Sequence, residues 1–432
     1  MGERKQYVIT RIDNRLVGVY MIGERIYDAL IVNDNEDETR VGDVYVGRVK
    51  NVVDNINAAF VEFREGVMGF LPISSELKNK IKPEQEIIVQ VKKPATGNKD
   101  AVLSTDIELV GRYVIWRDKS IRIRENEPES SFSFSVSVSR KIDDVSVVRK
   151  LGTAGKRFFT DEFNIDELFD NGVSSGLYVD MVIPGITIRT NAADVSEDVM
   201  LDELRFFCEK WRIIRFFGNN RKLYSRLYAE PPAYIRMINR YKSNRPDRII
   251  TDCDAVAELV NMSVPDIPVE LYTDMSYPLD ARYAISTTLN KACDRRVWLK
   301  SGANLIIDRT EAMMVIDVNT AKAIDGKRAS ETTFFKINCE AAEEIARQLR
   351  LRNLSGIILV DFIDMKEQGH IDHLIACLRS FLKDDPVRAT YIDYTKLGLV
   401  EITRAKQAPS LYEHKLYDSV MSEAVRSDRQ GE

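Results

Sequence analysis

Two acidic residues stand inside apolar, strand-like runs. Asp317 interrupts Met313-Met314-Val315-Ile316-Asp317-Val318-Asn319, and Asp361 follows Ile357-Ile358-Leu359-Val360. A carboxylate ending a buried strand is costly unless it is paired, hydrogen-bonded or bound to metal. Strand ends of open α/β sheets are also where ligands bind. Side chains alternate along a strand, so Asp317 and Asn319 share one face while Ile316 and Val318 take the other. Two carboxylates and an amide oxygen are hard donors that suit Mg2+ or Mn2+. Mg2+ held by one or two carboxylates, with phosphate oxygens in its shell, is the pattern of phosphodiester chemistry. The competing reading is structural: a carboxylate that caps a helix or pairs with an arginine such as Arg347 or Arg350. Asp364 falls on the opposite face if the strand continues, which gives it a supporting role.

Histidine and cysteine offer less. His370 and His373 stand at i,i+3, a spacing open to a metal pair, but at a polar helix start; the third histidine is His414. No Ser-His-Asp or Cys-His grouping is suggested, and no GxGxxG or P-loop occurs. The cysteines Cys208, Cys253, Cys293, Cys339 and Cys377 lie far apart. They form neither a zinc knuckle nor a disulfide framework, which points to a reducing compartment.

The elements that must position the acidic pair are legible as patterns. Residues 305–308 and 313–318 read as a hairpin around Arg309-Thr310-Glu311. A helix over about 331–352 carries Phe334, Ile337, Ala341, Ile345 and Leu349 at helical spacing. Gly356 closes it, and 357–363 reads as a buried strand. A second helix carries Ile371, Leu374, Ile375, Leu378 and Leu382, and strands near 389–394 and through Glu401-Ile402 complete a sheet.

Upstream, 5–32 reads as three strands, closed by the acidic link Asp34, Glu36, Asp37 and Glu38. Short β-rich runs from 41 to about 106 suggest a small barrel of OB type. Its Phe60 and Phe70, on neighbouring strands, either fill the core or stack bases. Residues 131–139 alternate serine with apolar residues, as a half-buried strand does. After Gly185-Ile186-Thr187-Ile188, Arg189 and Thr190 put an arginine fork and a hydroxyl at a strand end. Such a pair suits a terminal phosphate, or is merely a strand's exposed end. Ser196, with Glu197 and Asp198, opens a helix. Its stripe is Leu201, Leu204, Cys208, Trp211 and Ile214, and Gly218-Asn219-Asn220 ends it. A strand over 248–252 and a helix over 255–260 follow.

The chain has 432 residues, 62 basic and 67 acidic, for a net charge of −5. That excludes a uniformly basic nucleic-acid binder but not a local basic stripe. From Arg205 to Arg248 twelve basic residues meet only Glu209, Glu230 and Asp247. Such a segment suits phosphate tracking, or is a solvated helix face. At 44% hydrophobic and 30% charged the chain is globular, long enough for roughly three domains. The start has no apolar leader, Gln6 stands where myristoylation needs Ser or Thr, and no apolar run spans a bilayer. A cytoplasmic protein is expected.

Taken together, these residues resemble the bacterial ribonuclease E/G family over nearly the whole chain. The most specific stretches are Ile316-Asp317-Val318-Asn319-Thr320-Ala321, the run from Glu340 to Arg352, Val360-Asp361-Phe362-Ile363-Asp364-Met365, and Glu401-Ile402-Thr403-Arg404 to Pro409-Ser410-Leu411. The resemblance implies an α/β and β multidomain fold. A ribonuclease-H-like domain (1–40 and 236–294) is split by an S1-like OB-fold RNA-binding domain (41–108) and a 5′-monophosphate sensor region (109–235). A deoxyribonuclease-I-like catalytic domain (295–415) and a tail (416–432) follow.

The activity implied is Mg2+-dependent cleavage of single-stranded RNA to 5′-phosphate and 3′-hydroxyl ends, in RNA processing and mRNA decay. Asp317 and Asp361 match the family's metal-holding aspartates, and Asn319 the asparagine that supports them. Phe60, Phe70 and Lys99 match RNA-contacting positions; Arg189 and Thr190, with Ile115 and Arg140, match the 5′-phosphate pocket. Better-known members carry a two-cysteine zinc motif and a small domain after the catalytic region. Residues 412–432 have no cysteine, so no zinc link is expected and homo-oligomerisation stays open. The rival class is a non-catalytic RNA-binding or ribosome-associated factor, against which the intact Asp317, Asn319 and Asp361 argue. A two-carboxylate glycoside hydrolase fits neither the barrel nor the arginine-rich middle.

Overall fold

Strand-forming segments more than two hundred residues apart meet in one sheet. Its order is Val269–Leu271, Arg248–Thr251, Lys5–Ile12, Arg15–Ile22 and Arg25–Asn33. Lys5–Ile12 runs parallel to Arg248–Thr251, while the first three strands follow one another antiparallel. This computed structural model describes residues 3–33, 39–73, 81–95, 99–121, 134–163, 181–241, 244–320, 330–406 and 409–413. Two compact units divide the chain: residues 1–35 with 232–432, and residues 36–231.

The 36–231 unit holds a closed barrel. Val44–Val53, Ala58–Arg64, Val67–Pro72, Ala101–Ser104 and Glu86–Lys93 pair in turn, and the last closes on the first. This five-stranded, OB-like closure removes free edges. Ala59, Val61, Phe63, Leu71, Val89 and Leu103 fill it.

A four-stranded sheet in the same unit has the order Ser135–Val138, Met181–Ile188, Val114–Ile121, Glu108–Val110. In the alternating strand, Ser135 and Ser137 are exposed, while Val136 and Val138 pack on the core. Residues 131–133 lie outside the described residues. Helices Val145–Asp161 and Glu197–Arg212 cover this sheet, and Leu201, Leu204, Cys208, Trp211 and Ile214 are all buried.

Two details of that second helix depart from the sequence reading. Ser196 occupies the N-cap, but its side chain makes no capping bond. The helix does not stop on a left-handed glycine either. It runs through a wider turn, Ile213–Phe217, into a tight one, Gly218–Asn220, and Gly218 keeps helical dihedrals. The glycine there packs closely: a Cβ would sit 2.7 Å from Ile88 Cδ1 and 2.9 Å from Leu227 Cδ1, so those side-chain ends would have to move.

In the other unit, six strands run in the order Arg296–Trp298, Asn304–Arg309, Met313–Asn319, Gly356–Asp361, Leu399–Arg404 and Ala389–Tyr394. Asn304–Arg309 and Met313–Asn319 form the expected hairpin. Met313–Asn319 and Gly356–Asp361 are parallel, linked by the helix Glu331–Leu351. Ser330 Oγ caps that helix by accepting from Thr333 N at 3.2 Å. The helix Gln368–Lys383 packs beside it, burying Leu374, Leu378 and Leu382.

Candidate active site

The strand Met313–Asn319 alternates as its sequence dictates. Met314, Ile316 and Val318 are buried, Asp317 is half-buried and Asn319 exposed on the other face. Its parallel neighbour stops at Asp361, and the register pairs Asp317 directly with Asp361. Two distant segments thus place two carboxylates side by side at the C-terminal ends of adjacent parallel strands, where strand spacing is about 4.8 Å.

The expected burial is only partly present. The strand is Gly356–Asp361 rather than 357–363; Ile358 and Val360 are buried, while Ile357 and Asp361 are exposed. The acidic pair therefore sits at the open end of the sheet, not within its core, where desolvation at the strand end and mutual repulsion act together. Asp361 is held above the ordinary carboxylate range, first by desolvation at the strand end, then by the charges of Asp317 and Asp364. Because the strand ends at Asp361, the alternation does not extend to Asp364, and that carboxylate joins the same acidic field. The Tyr394 hydroxyl, too, is pushed up by desolvation and then by Asp364 and Asp361.

Positioning comes from short bonds. Asn319 Nδ2 donates to Asp317 Oδ2 at 2.5 Å, which engages one of the two carboxylate oxygens. Arg347 and Arg350 are not its partners. Arg347 bonds Glu344 and the Ile26 carbonyl, and Arg350 lies 3.9 Å from Asp28. Among the described residues neither Asp317 nor Asp361 has a basic partner. The segment after Asp361 is clamped by the long helix: buried Asn338 donates to Ile363 O at 2.8 Å and accepts from Ile363 N at 3.1 Å. Sequence reasoning missed Asn338; its polar side chain within an otherwise apolar helical stripe was the available signal. Uncompensated like charge, oxygen donors only, and an open strand end fit a hard divalent cation.

In the barrel, Phe60 and Phe70 are cross-strand partners with ring centroids 6.0 Å apart, edge to face. Neither fills the core. Phe60 shares the outer face with Glu62 and Arg64, opposite Ala59, Val61 and Phe63. Lys99 is exposed, two residues before the strand Ala101–Ser104, whose Val102 pairs with Phe70.

Among the residues expected to receive a 5′-phosphate, Ile115 pairs with Thr187, and Thr190 Oγ1 lies 3.0 Å from Ser139 Oγ, next to exposed Arg140. Arg189 is half-buried, and its guanidinium donates to the Gly111 carbonyl. Desolvation lowers its pKa and the Glu203 charge opposes that. Glu203, unnoticed in the sequence, accepts the backbone N–H of Arg112, Tyr113 and Val114 at 2.7, 2.7 and 2.8 Å. That collar holds the turn against which Arg189 lies.

The basic stretch from Arg205 to Arg248 is not one stripe. It divides between the two units, and much of its charge is spent internally. Arg205 pairs with Glu162 and Asp202, Arg215 with buried Asp118, Arg245 with Asp266, and Arg248 with Glu270. Lys242 lies outside the described residues.

A family model described as the ribonuclease E/G family matches residues 131–407. Ribonuclease G of Escherichia coli (strain K12) is 30% identical over 401 residues, 87% of this chain and 74% of that protein. Putative ribonuclease E of Buchnera aphidicola subsp. Baizongia pistaciae is 29% identical over 427 residues, 93% of this chain and 95% of that protein. Ribonuclease E of Escherichia coli (strain K12) is 29% identical over 416 residues, 90% of this chain. The chain spans only 36% of the length of that last relative.

Proposed function

The chain belongs to the ribonuclease E/G family, and on that premise we propose that it is an endoribonuclease that hydrolyses single-stranded RNA in RNA processing and mRNA decay. The observation that carries this reading is the in-register pair Asp317 and Asp361, set at an open strand end with no basic partner among the described residues. In the reaction, water attacks the scissile phosphorus and the bond to the 3′ oxygen breaks. The products are a 5′-phosphate and a 3′-hydroxyl.

Asp317 and Asp361 would hold Mg2+, with Mn2+ as a substitute. When bound, such an ion makes water a stronger nucleophile and offsets charge on the phosphate. Asn319 keeps Asp317 turned so that one oxygen stays free for that role. The Asn338 clamp on Ile363 fixes the chain beyond Asp361, and Asp364 adds to the field that attracts a cation. Phe60 and Phe70 offer ring faces to bases, with Lys99 beside the backbone; stacking of this kind is worth about 1–3 kcal/mol per base. Arg189 and Thr190, with Ile115 and Arg140, receive a 5′-monophosphate, and the desolvated Arg189 fork strengthens the charge-assisted bonds it makes. The cytoplasm is the compartment this activity suits, and no described helix is long and apolar enough to cross a membrane.

The test is substitution at the pair. Asp317→Asn and Asp361→Asn should each abolish cleavage while RNA binding, followed by fluorescence anisotropy, stays within about twofold. Retained turnover in the purified variants sinks the assignment.

A further inference from the structure

A second cluster of ligating atoms lies apart from the acidic pair, where the two helices of the 331–383 region begin. Glu331 opens the helix Glu331–Leu351, Glu367 is the N-cap of Gln368–Lys383, and His370 lies in that helix's first turn. One ligand atom from each gathers within 4.8 Å. His370 Nδ1 is 3.7 Å from Glu331 Oε1 and 3.6 Å from Glu367 Oε2. These separations are too long for hydrogen bonds. They are close to the separation of about 3.3 Å between neighbouring ligands when N and O donors sit 2.0–2.1 Å from a tetrahedral ion.

Three features hold these atoms in place for a ligand. His370 Nδ1 is shielded from solvent and has no hydrogen-bond partner among the described residues. Its ring is locked by Phe335, stacked at 4.5 Å and 14°, so Nδ1 faces the carboxylates without a further loss of rotamer freedom. Glu367 holds the cap position yet makes no capping bond. Glu331 Oε1 accepts from the amides of Lys366 and Glu367 at 2.8 and 2.5 Å, which fixes that carboxylate beside His370, while the Glu367 carboxylate makes no hydrogen bond among the described residues. The two-histidine pair suggested by spacing does not form, because His373 meets the Phe335 ring edge-on at 5.3 Å.

We propose that Glu331, Glu367 and His370 form a second metal site, for a borderline first-row cation such as Zn2+ or Co2+. One imidazole nitrogen and two carboxylates suit such ions better than an all-oxygen pair does. With Glu367 largely exposed, a fourth position stays open to water. The site joins the two helix starts, and so ties down the segment that runs from Asp361 to the second helix.

The test uses the full chain carrying Asp317→Asn and Asp361→Asn, which removes the first site, titrated with Co2+ alone. The d–d absorption of the ion reports its coordination, and calorimetry with Zn2+ gives stoichiometry. One tightly bound ion per chain is expected, with a d–d spectrum of low-symmetry coordination. Adding Glu367→Gln or His370→Gln should weaken binding at least about tenfold, while circular dichroism stays unchanged. Glu367→Gln, at an exposed carboxylate, guards against a folding artefact at His370. Binding undiminished by both substitutions, or no binding by the parent, overturns the proposal.

Discussion

Replacing Asp361 by asparagine should destroy activity and at the same time stabilise the metal-free protein. The side chains are near-isosteric, so the change removes charge with little change in packing. Asp317 is the register partner of Asp361 on the adjacent strand, which puts the carboxylates about 5 Å apart. Two unit charges at that distance repel by about 0.8 kcal/mol in water and about 3 kcal/mol at an effective dielectric of 20. Asp361 is exposed, so the lower end applies and a gain of about 1 kcal/mol is expected. For a unit of some two hundred residues that is roughly 2–4 °C in Tm.

The pH dependence follows from the raised pKa of Asp361. The folded state binds this proton more tightly than the unfolded chain does. Wild-type stability is therefore lost as pH rises through the folded pKa. The advantage of Asp361→Asn is present above that pKa and vanishes below the ordinary carboxylate range. The assay is thermal unfolding of both proteins in EDTA at neutral and acidic pH, then with millimolar Mg2+ at neutral pH. Mg2+ should stabilise the wild type more than the variant. A variant less stable than wild type in EDTA at neutral pH would mean that Asp361 is held by an attractive partner, and would refute the reasoning.

Three further outcomes are expected. Phe60→Ala and Phe70→Ala should each weaken single-stranded RNA binding by about 1–3 kcal/mol at fixed salt and leave the barrel folded, whereas Phe63→Ala should cost about 3–5 kcal/mol of stability; anisotropy and denaturant titration separate the two. Arg189→Ala should erase a rate advantage of 5′-monophosphorylated over 5′-triphosphorylated RNA, read as the ratio of initial rates; equal rates in the wild type would remove the sensor reading. Asn338→Ala leaves the part-buried Ile363 amide and carbonyl without their partner, costing at most about 1–3 kcal/mol, and should lower kcat more than it raises KM.

What the sequence disclosed and what it hid follow from the range of the interactions. Alternation has a period of two, so Asp317 and Asn319 could be set on one face and Ile316 and Val318 on the other before any fold was known. The same rule separates Phe60 from Phe63, three positions away, but whether Phe60 filled the barrel was open until the paired strands put it on the side of Glu62 and Arg64. The pairing of Asp317 with Asp361 needed the parallel register, which depends on the crossover helix between them. The condition placing Asp364 on the opposite face, that the strand continue, does not hold, because the strand ends at Asp361. Glu203 gathers amides some ninety residues away, and the partners of Arg205, Arg215, Arg245 and Arg248 come largely from other segments, so a local tally of charge could not see them. His370 looked like half of a histidine pair because Glu331 is distant in sequence, although the fold brings it alongside.

The most direct test of the central claim is cleavage of a 5′-monophosphorylated single-stranded RNA by the purified chain with Mg2+, then EDTA, then Mg2+ restored. The account predicts internal cuts bearing 5′-phosphate and 3′-hydroxyl ends, lost in EDTA, recovered on restoring Mg2+, and absent from Asp317→Asn. Cleavage that persists in EDTA, or in Asp317→Asn, would contradict it.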